Sequence, residues 1–167
     1  MLARGLATAI VVAILDQLSK AAVLAFFAGR GFGDRETVTS FFNLALTYNR
    51  GISFGLFNGA AGVNALVFSI AAAAIVAVLI FWLSRASSLF LAVAIGLIIG
   101  GAVGNVIDRL RLGAVVDFLD FHFGAAHWPA FNLADSAICI GVAAMLLDGF
   151  LLRREAHEVT SRQRRVD

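Results

Sequence analysis

Acidic and amide side chains are concentrated between residues 104 and 136, in a segment flanked on both sides by long apolar runs. The segment contains Asp108, Asp117, Asp120 and Asp135, together with Asn105, Arg109 and Asn132. Ionisable groups are expensive to place beside lipid, and where they occur they usually serve a function. The segment is therefore the first candidate for a functional site.

Asp117 and Asp135 are suited to work as a pair. Residues 89–106 contain no charged side chain and are long enough for a membrane helix, and residues 137–147 extend a second helix. The segment that joins these helices returns the chain to one membrane face, so the two carboxyls should lie at similar depth. Two facing carboxyls cannot easily both ionise, and a pair that holds one proton can perform acid and base hydrolysis.

A purely structural interpretation of the same residues is also available. Asn132 could cap a helix, with Asp135 as a carboxylate in its first turn, where the helix dipole favours negative charge. Asp117 and Asp120 would then be loop carboxylates that face water. The residue types alone leave both interpretations open.

Five strings, taken in order, resemble the motifs of the lipoprotein signal peptidase family, also called signal peptidase II. They are DQLSK at 16–20, YNRGISFG at 48–55, GGAVGNVIDR at 100–109, VVDF at 115–118 and FNLADS at 131–136. The resemblance implies a four-helix aspartyl endopeptidase of the bacterial cytoplasmic, or inner, membrane. Such an enzyme removes the signal peptide from diacylglyceryl-modified prolipoproteins immediately before the lipidated cysteine.

The resemblance also implies roles for individual residues. Asp117 and Asp135 are the expected catalytic pair, acting on a water between them. Asn105, Arg109 and Asn132 are expected to hydrogen-bond this pair or the substrate backbone, although Arg109 could instead anchor its helix at the membrane interface.

Two further motif positions, Asn49 and Gly51, are expected in the substrate-binding surface. Asp108 and Asp120 are equally acidic and lie nearby. Only their motif positions place them outside the catalytic pair.

Composition independently indicates a small membrane protein. The chain has 167 residues, of which 60% are hydrophobic and 14% charged, more apolar than a typical soluble domain. We expect one domain over residues 1–167, with spans at about 6–27, 60–83, 89–107 and 132–152 and a basic cytoplasmic tail at 153–167. The expected fold is an all-α integral membrane protein of four transmembrane helices, with a small extracytoplasmic β-rich flap between helices 1 and 2.

Residues 41–57 form the predicted flap. They are rich in aromatic and β-branched side chains, interrupted by polar ones, which favours short strands around a turn at 49–51. Such a flap could pair its backbone with an extended peptide. Its phenylalanines could equally anchor it at the bilayer surface: Phe41, Phe42, Phe54 and Phe57.

Asp16 and Lys20 are four residues apart in the first span, so they share a helix face. Charges inside a membrane normally turn inward and pair, and we interpret these two as an ion pair that supports the fold and is not the catalytic acid or base. Gly100 and Gly104 are likewise interpreted as a close-packing pattern between helices.

The distribution of arginines predicts the topology. Arg4, Arg85 and the tail can all be cytoplasmic if there are four spans, which places both termini inside and the carboxylate pair near the outer face. The net charge of only +2 argues against nucleic acid as a partner. The expected partners are diacylglyceryl-prolipoproteins and membrane lipid, and the expected state is a monomer without a cofactor.

Other residues suggest two alternatives, a metal site and a transporter. His122 and His127 invite a metal site with the aspartates, but no metal-ligand spacing accompanies them, and no metal is expected. A transporter could use Asp16, Lys20 and Asp135 as an intramembrane relay. The second span carries no charge, however, and the carboxylates cluster near one face, so this function is the less favoured.

Overall fold

A computed structural model describes residues 1–30, 33–51 and 61–163. Along the chain these form helix α1, a strand pair, helices α2 and α3, a second strand pair and helix α4. The bounds are α1 Leu2–Phe26, β1 Arg35–Thr39, β2 Phe42–Asn49, α2 Ala61–Leu83, α3 Leu89–Leu112, β3 Val115–Phe123, β4 Ala126–His127 and α4 Leu133–Gln163.

Within these described ranges, four helices are long and apolar enough to cross a membrane. Their outward side chains are largely apolar, as on Ile10, Val78 and Leu146, each more than half exposed. A soluble protein would not leave such a surface uncovered, whereas lipid covers it without penalty. The predicted four-span arrangement is therefore confirmed at the level of the helices.

Two helices extend further than predicted. α3 continues beyond residue 107 to Leu112, because Asp108 is buried against the bundle and does not mark the water boundary. Gly113 then ends α3 in a left-handed conformation with φ of 71°, which suits glycine. α4 continues to Gln163, through most of the segment predicted as a basic tail, where arginine and glutamate are good helix formers.

α3 is the central helix and packs against α1, α2 and α4. Its neighbours approach closely because glycines face them. A Cβ on Gly100 would overlap the carbonyl oxygen of Ala9, and one on Gly104 would overlap the Asp16 carboxylate. The packing interpretation of these two glycines is confirmed.

The strands form one antiparallel sheet in the order β1-β2-β3-β4. The all-α description with a flap confined to the first loop therefore needs correction, since β3 and β4 come from the connection between α3 and α4. In the sheet Asp117 pairs with Thr47, and Val115 pairs with Asn49. The VVDF string at 115–118 thus lies on a strand.

The first strand pair also differs in detail from the predicted flap. The turn between β1 and β2 falls at residues 40–41, whereas Asn49 ends β2 and Gly51 follows it with φ of +77°. The predicted strand after residue 51, with Phe54 and Phe57, lies outside the described residues.

The sheet rests on the end of α1 through an apolar cluster. Val23 and Phe27 of the α1 end contact Leu46 of β2 and Val116 and Phe118 of β3. The C-terminal ends of α1 and α3 and the beginning of α4 therefore meet the sheet at one end of the bundle. This is the end at which Asp117 and Asp135 were expected to meet.

The α1–α3 contact predicts a stability effect. We expect Gly100→Ala to lower the free energy of unfolding by about 1–3 kcal/mol, because the added methyl meets α1 backbone that cannot rotate away. Reversible unfolding in mixed detergent micelles measures the change. Gly149→Ala is the matched control, since a Cβ there would meet no atom within 4 Å; equal losses in both variants would contradict the close-packing explanation.

Candidate active site

Asn132 joins the two candidate catalytic carboxyls. Its Oδ1 accepts the backbone N–H of Asp135 at 2.9 Å, and Asp135 Oδ2 accepts the backbone N–H of Asn132 at 3.3 Å. This reciprocal pair caps α4, so the capping part of the structural interpretation is confirmed. Its other part is wrong, because Asp117 and Asp120 lie buried on β3 and not in a loop that faces water. The remaining amide nitrogen, Nδ2, donates to Asp117 Oδ1 at 2.7 Å, and the cap thereby also brings Asp117 and Asp135 to one place.

Backbone pairing beside the cap holds it against the sheet. Phe131 accepts the N–H of Phe118 at 3.0 Å and of Leu119 at 2.8 Å, and donates its own N–H to Leu119 at 3.2 Å. The residue before Asn132 is thus tied to the residues that follow Asp117. A strand and a helix end, both rigid elements, carry the two carboxyls.

Asn105 of α3 approaches Asp135 from the other side. Its Nδ2 donates to Asp135 Oδ1 at 2.8 Å, and its Oδ1 accepts from Lys20 Nζ at 3.0 Å and from Asn132 Nδ2 at 3.2 Å. An ammonium group can only donate. Lys20 therefore fixes which end of the Asn105 amide faces Asp135.

Asn49 is oriented in the same way at the end of β2. Its Oδ1 accepts the backbone N–H of Gly51 at 2.9 Å, and its side chain hydrogen-bonds Asp117. The left-handed backbone at Gly51 sets this turn. Asn49 and Gly51 therefore lie beside Asp117.

Lys20 forms the buried centre of a larger network. Its ammonium lies 2.8 Å from Asp16 Oδ2 and 2.8 Å from Asp108 Oδ2, and all three side chains are less than 5% exposed. The predicted ion pair between Asp16 and Lys20 is confirmed. The spacing of residues in the sequence does not reveal Asp108 as the third member of this network. It also does not reveal Gln17, whose amide donates to Asp108 Oδ1 at 2.9 Å.

The two carboxylates of this network also accept hydrogen bonds from the backbone next to the catalytic candidates. Asp16 Oδ1 accepts the N–H of Ala134 at 3.0 Å, and Asp108 Oδ2 accepts the N–H of Val116 at 3.1 Å. Ala134 precedes Asp135, and Val116 precedes Asp117. The ion cluster thus positions both catalytic candidates through the main chain.

The environment of Asp117 favours its protonated form. The side chain is almost fully buried, and this burial raises its pKa to about 6, with the negative charge of Asp135 adding to the rise. Hydrogen bonds from Asn49 and Asn132 and the charge of Lys20 act in the opposite direction. A carboxyl in this state can donate a proton near neutral pH.

Arg109 lies beside the pair without a hydrogen bond to it among the described residues. Its guanidinium is 5.5 Å from the centre of the Phe68 ring and donates to the backbone oxygen of Asn105 at 3.5 Å. Its positive charge acts on both Asp117 and Asp135. Its position at the α3 end fits both expected roles, support of the pair and anchoring of the helix.

Asp120 belongs to a different cluster. Burial acts to raise its pKa, but hydrogen bonds from Asn43 and His127 and the charge of Arg35 outweigh burial and lower it. His127 Nδ1 lies 2.8 Å from Asp120 Oδ1, and the rings of His122 and His127 stack at 4.9 Å. In the part of the chain that the structure describes, no three His, Cys, Asp or Glu side chains are grouped to hold a metal.

A groove of about 590 Å³ opens over Asp117 and runs along the sheet. It is lined by Arg35, Ala45, Thr47, Tyr48, Asn49, Arg50, Gly51, Asp117, Asp120, His127, Trp128, Pro129 and Ala130. Residues 127–129 thus supply part of the wall, although the sequence pointed only to His127 among them, as a possible metal ligand. The pairing of β4 with β3 brings these residues to the groove.

Residues 8–151 match a family model, Peptidase_A8, described as signal peptidase (SPase) II. The chain belongs to the signal peptidase II family. The lipoprotein signal peptidase of Burkholderia cenocepacia is 48% identical over 148 residues, covering 88% of this chain and 87% of its own. That of Paraburkholderia phymatum is 47% identical with the same coverage.

Solved structures agree with the fold. One, described as a bacterial membrane enzyme solved in meso at 2.3 Å, has a TM-score of 0.72 and 31% identity, covering 92% of this chain and 90% of that one. A second, at 1.9 Å, has a TM-score of 0.74 and 32% identity, covering 86% and 90%. Signal peptidase II membership makes the chain a peptidase, and its four helices make it a multi-pass membrane protein.

The ion cluster predicts a large effect of removing Lys20. We expect Lys20→Met to lower the free energy of unfolding by about 3–5 kcal/mol, because Asp16 and Asp108 would keep buried charges without their cation. Unfolding in mixed micelles measures the loss.

Arg30→Met is the matched control for this experiment. It breaks a pair of the same length, 2.8 Å, with Glu36, but both of its side chains are more than 40% exposed. Its loss should stay below about 1 kcal/mol. Comparable losses in the two variants would show that burial of the Lys20 cluster adds nothing to its contribution to the free energy of unfolding.

Proposed function

We propose that this chain is a membrane aspartyl endopeptidase that removes signal peptides from diacylglyceryl-modified prolipoproteins, cutting immediately before the lipidated cysteine. The main support is that one residue, Asn132, hydrogen-bonds both carboxyl residues. Its Nδ2 donates to the side chain of Asp117, and its Oδ1 accepts the backbone N–H of Asp135 as the cap of α4. Family membership and relatives named lipoprotein signal peptidase support the substrate class.

In this proposal Asp135 is the base and Asp117 the acid. Both oxygens of Asp135 accept N–H groups, from Asn105 and Asn132, at the beginning of α4, which is the hydrogen-bonding pattern of an ionised carboxylate. Asp117 is the more buried of the two and holds the raised pKa. The raised pKa of Asp117 suits it to give a proton, and the N–H donors around Asp135 suit that carboxylate to the role of base.

The reaction then proceeds in two steps. Asp135 takes a proton from a water while the water oxygen attacks the scissile carbonyl carbon, and the proton of Asp117 passes to the carbonyl oxygen. The tetrahedral intermediate collapses when Asp117 takes that proton back, and the leaving amine receives the proton held by Asp135. Both carboxyls return to their starting states.

The other motif residues support this pair. Asn105, Asn132 and Asn49 each aim an amide N–H at one of the carboxyls, and Gly51 orients Asn49. Arg109 supplies positive charge beside the pair, where a peptide carbonyl would sit. Asp16 and Lys20 support the pair indirectly. Lys20 donates to Asn105 Oδ1, and Asp16 accepts the backbone N–H of Ala134.

We place the enzyme in the bacterial inner membrane as a monomer, with both termini in the cytoplasm and the carboxyl pair near the outer face. Arg4 and Arg85 lie at the opposite end of the bundle from Asp117, which fits cytoplasmic placement of basic residues. The buried charged groups converge at the other end, near Asp117, and the described part of α2 carries no charge. This arrangement favours a peptidase over a transporter with a polar path.

Lipid on the substrate explains how the bond reaches the pair. Each buried methylene adds about 0.8 kcal/mol to membrane binding, so two acyl chains hold the neighbouring peptide bond at the bilayer surface. The apolar signal helix would lie against the spans. Lipidation is therefore proposed as a requirement for cleavage.

Cleavage of a lipidated precursor tests this function. We expect Asp117→Asn and Asp135→Asn each to lower the rate by at least about 10²–10⁴-fold, since an amide can neither take nor give the required proton. A gel-shift assay in liposomes with diacylglyceryl-modified and unmodified precursor measures the rates. Unmodified precursor should remain uncut.

Asp148→Asn is the matched control, because it changes a carboxyl of the same helix, α4, far from its beginning. It should cleave like the unsubstituted enzyme. Robust cleavage by Asp117→Asn or Asp135→Asn would contradict the assignment of these residues as the catalytic pair. Equal cleavage of unmodified precursor would contradict the lipid requirement.

The raised pKa of Asp117 predicts the alkaline side of the pH profile. The acid role needs the protonated form, so kcat/KM should fall as pH rises through about 6, the pKa of this carboxyl in the free enzyme. Asn49→Ala should move this fall to higher pH, because the Asn49 hydrogen bond favours the ionised form. Initial rates between pH 4.5 and 9 measure both.

Asn43→Ala provides the comparison for the pH experiment. It removes a similar amide, which donates to Asp120 Oδ2 at 3.0 Å, outside the pair. The alkaline limb should stay in place in this variant. A profile that is flat from pH 5 to 9 in the unsubstituted enzyme would contradict the acid role of Asp117.

A further inference from the structure

Asp120 holds together one side chain from each of the other strands. Its Oδ1 lies 2.8 Å from His127 Nδ1 of β4, and its Oδ2 lies 3.0 Å from Asn43 Nδ2 of β2 and 3.3 Å from Arg35 Nε of β1. We name Asp120, Arg35, Asn43 and His127 the Asp120 clasp. The proposed catalytic steps use none of these residues.

The clasp presents positive charge to the groove and hides its negative charge. The side chain of Asp120 is 3% exposed, whereas that of Arg35 is 50% exposed and that of His127 is 31% exposed. Both exposed groups line the groove, together with the exposed Arg50. A ligand in the groove therefore meets mainly the exposed guanidinium and imidazole groups, although the nearly buried Asp120 also lines the groove.

The contacts with Asp120 orient both groups beside the groove. Arg35 approaches Asp120 through its Nε, and half of its side chain is exposed. His127 approaches Asp120 through its Nδ1, and about a third of its side chain is exposed. A guanidinium is the side chain best shaped to bind a carboxylate.

The clasp lies at a defined distance from the proposed cleavage point. Asp117 and Asp120 are three residues apart on β3, which corresponds to about 10 Å along a strand. An extended peptide that follows the groove covers the same distance in about three residues. The clasp would thus contact a substrate residue about three positions from the scissile bond.

Polarity decides which side of the bond this residue belongs to. The signal segment is apolar and needs the lipid or the helix faces, but the groove runs along the sheet, beyond the spans, and carries arginines at its surface. The segment that follows the cysteine is the part released to water. It is therefore the part that suits the groove.

We propose that Arg35 and His127, held by Asp120, form a subsite for an acidic side chain about three residues after the scissile bond of the lipoprotein substrate. The inference rests on the proposed function and deepens it, since it names a preference within the same groove. The clasp makes this subsite a second recognition element, separate from the lipid that anchors the substrate.

Matched substrates test the subsite. The substrates are diacylglyceryl-modified precursors that differ at one residue only. Asp, Asn or Lys is placed in turn at the second, third and fourth residue after the scissile bond. Cleavage is measured in zwitterionic micelles. The cysteine counts as the first residue. We expect kcat/KM for Asp to exceed that for Asn by about two- to fivefold at one of these positions, the size of an exposed charge pair, with Lys the poorest.

Variants assign the preference to the clasp. Arg35→Gln should bring the Asp to Asn ratio close to one, whereas Arg35→Lys, which keeps the charge, should retain part of it. Arg30→Gln is the control, because Arg30 is an exposed arginine paired with Glu36 and does not line the groove. Its ratio should equal that of the unsubstituted enzyme.

Several results would overturn the proposal. A ratio of one at all three positions in an enzyme that cleaves normally removes the subsite and leaves the proposed function intact. A preference that survives Arg35→Gln also removes it. If Arg35→Gln slows all substrates equally and added phosphatidylglycerol inhibits only the unsubstituted enzyme, the groove binds a lipid headgroup instead. If the enzyme cleaves none of the lipidated precursors, the proposed function is wrong, and this inference is wrong with it.

Discussion

The structure depends on one buried cation. Lys20 is almost completely enclosed, and its three hydrogen bonds go to Asp16, Asp108 and Asn105. An ammonium group buried without partners would be strongly unfavourable, and the two carboxylates would be equally so without it. Once the cluster forms, it joins α1 to α3 and fixes the backbone at the beginning of α4 and of β3. The ends of four elements are therefore set by the requirement to satisfy one charge.

The orientation of the site follows from groups that can only donate. The oxygens of Asn105, Asn132 and Asn49 are taken by an ammonium or by a backbone N–H, so each amide must turn its nitrogen toward a carboxyl. An amide that could flip would offer either a donor or an acceptor. Fixed amides give Asp117 and Asp135 defined and different surroundings, which the proposed division into acid and base requires.

The sequence predicted the helices well because lipid imposes a simple rule on length and apolarity. It also placed Asp16 with Lys20, since their spacing is local. It could not place Asp108 or Gln17 in that cluster, because their contacts span about ninety residues of chain. β3 was missed because Val115–Phe118 is buried throughout and lacks the alternation of a half-exposed strand.

The sheet shows why the second connection matters. β2 and β3 come from different loops, and their pairing opens the groove along the strand that carries Asp117. On this strand the two buried carboxylates have opposite surroundings: Asp117 has few charge partners and a raised pKa, whereas Asp120 is surrounded by donors and has a lowered one. The same residue type thus favours its protonated form at one point and holds positively charged and amide donors at another. Burial alone does not decide the role of an aspartate here; the donors that each strand brings to it do.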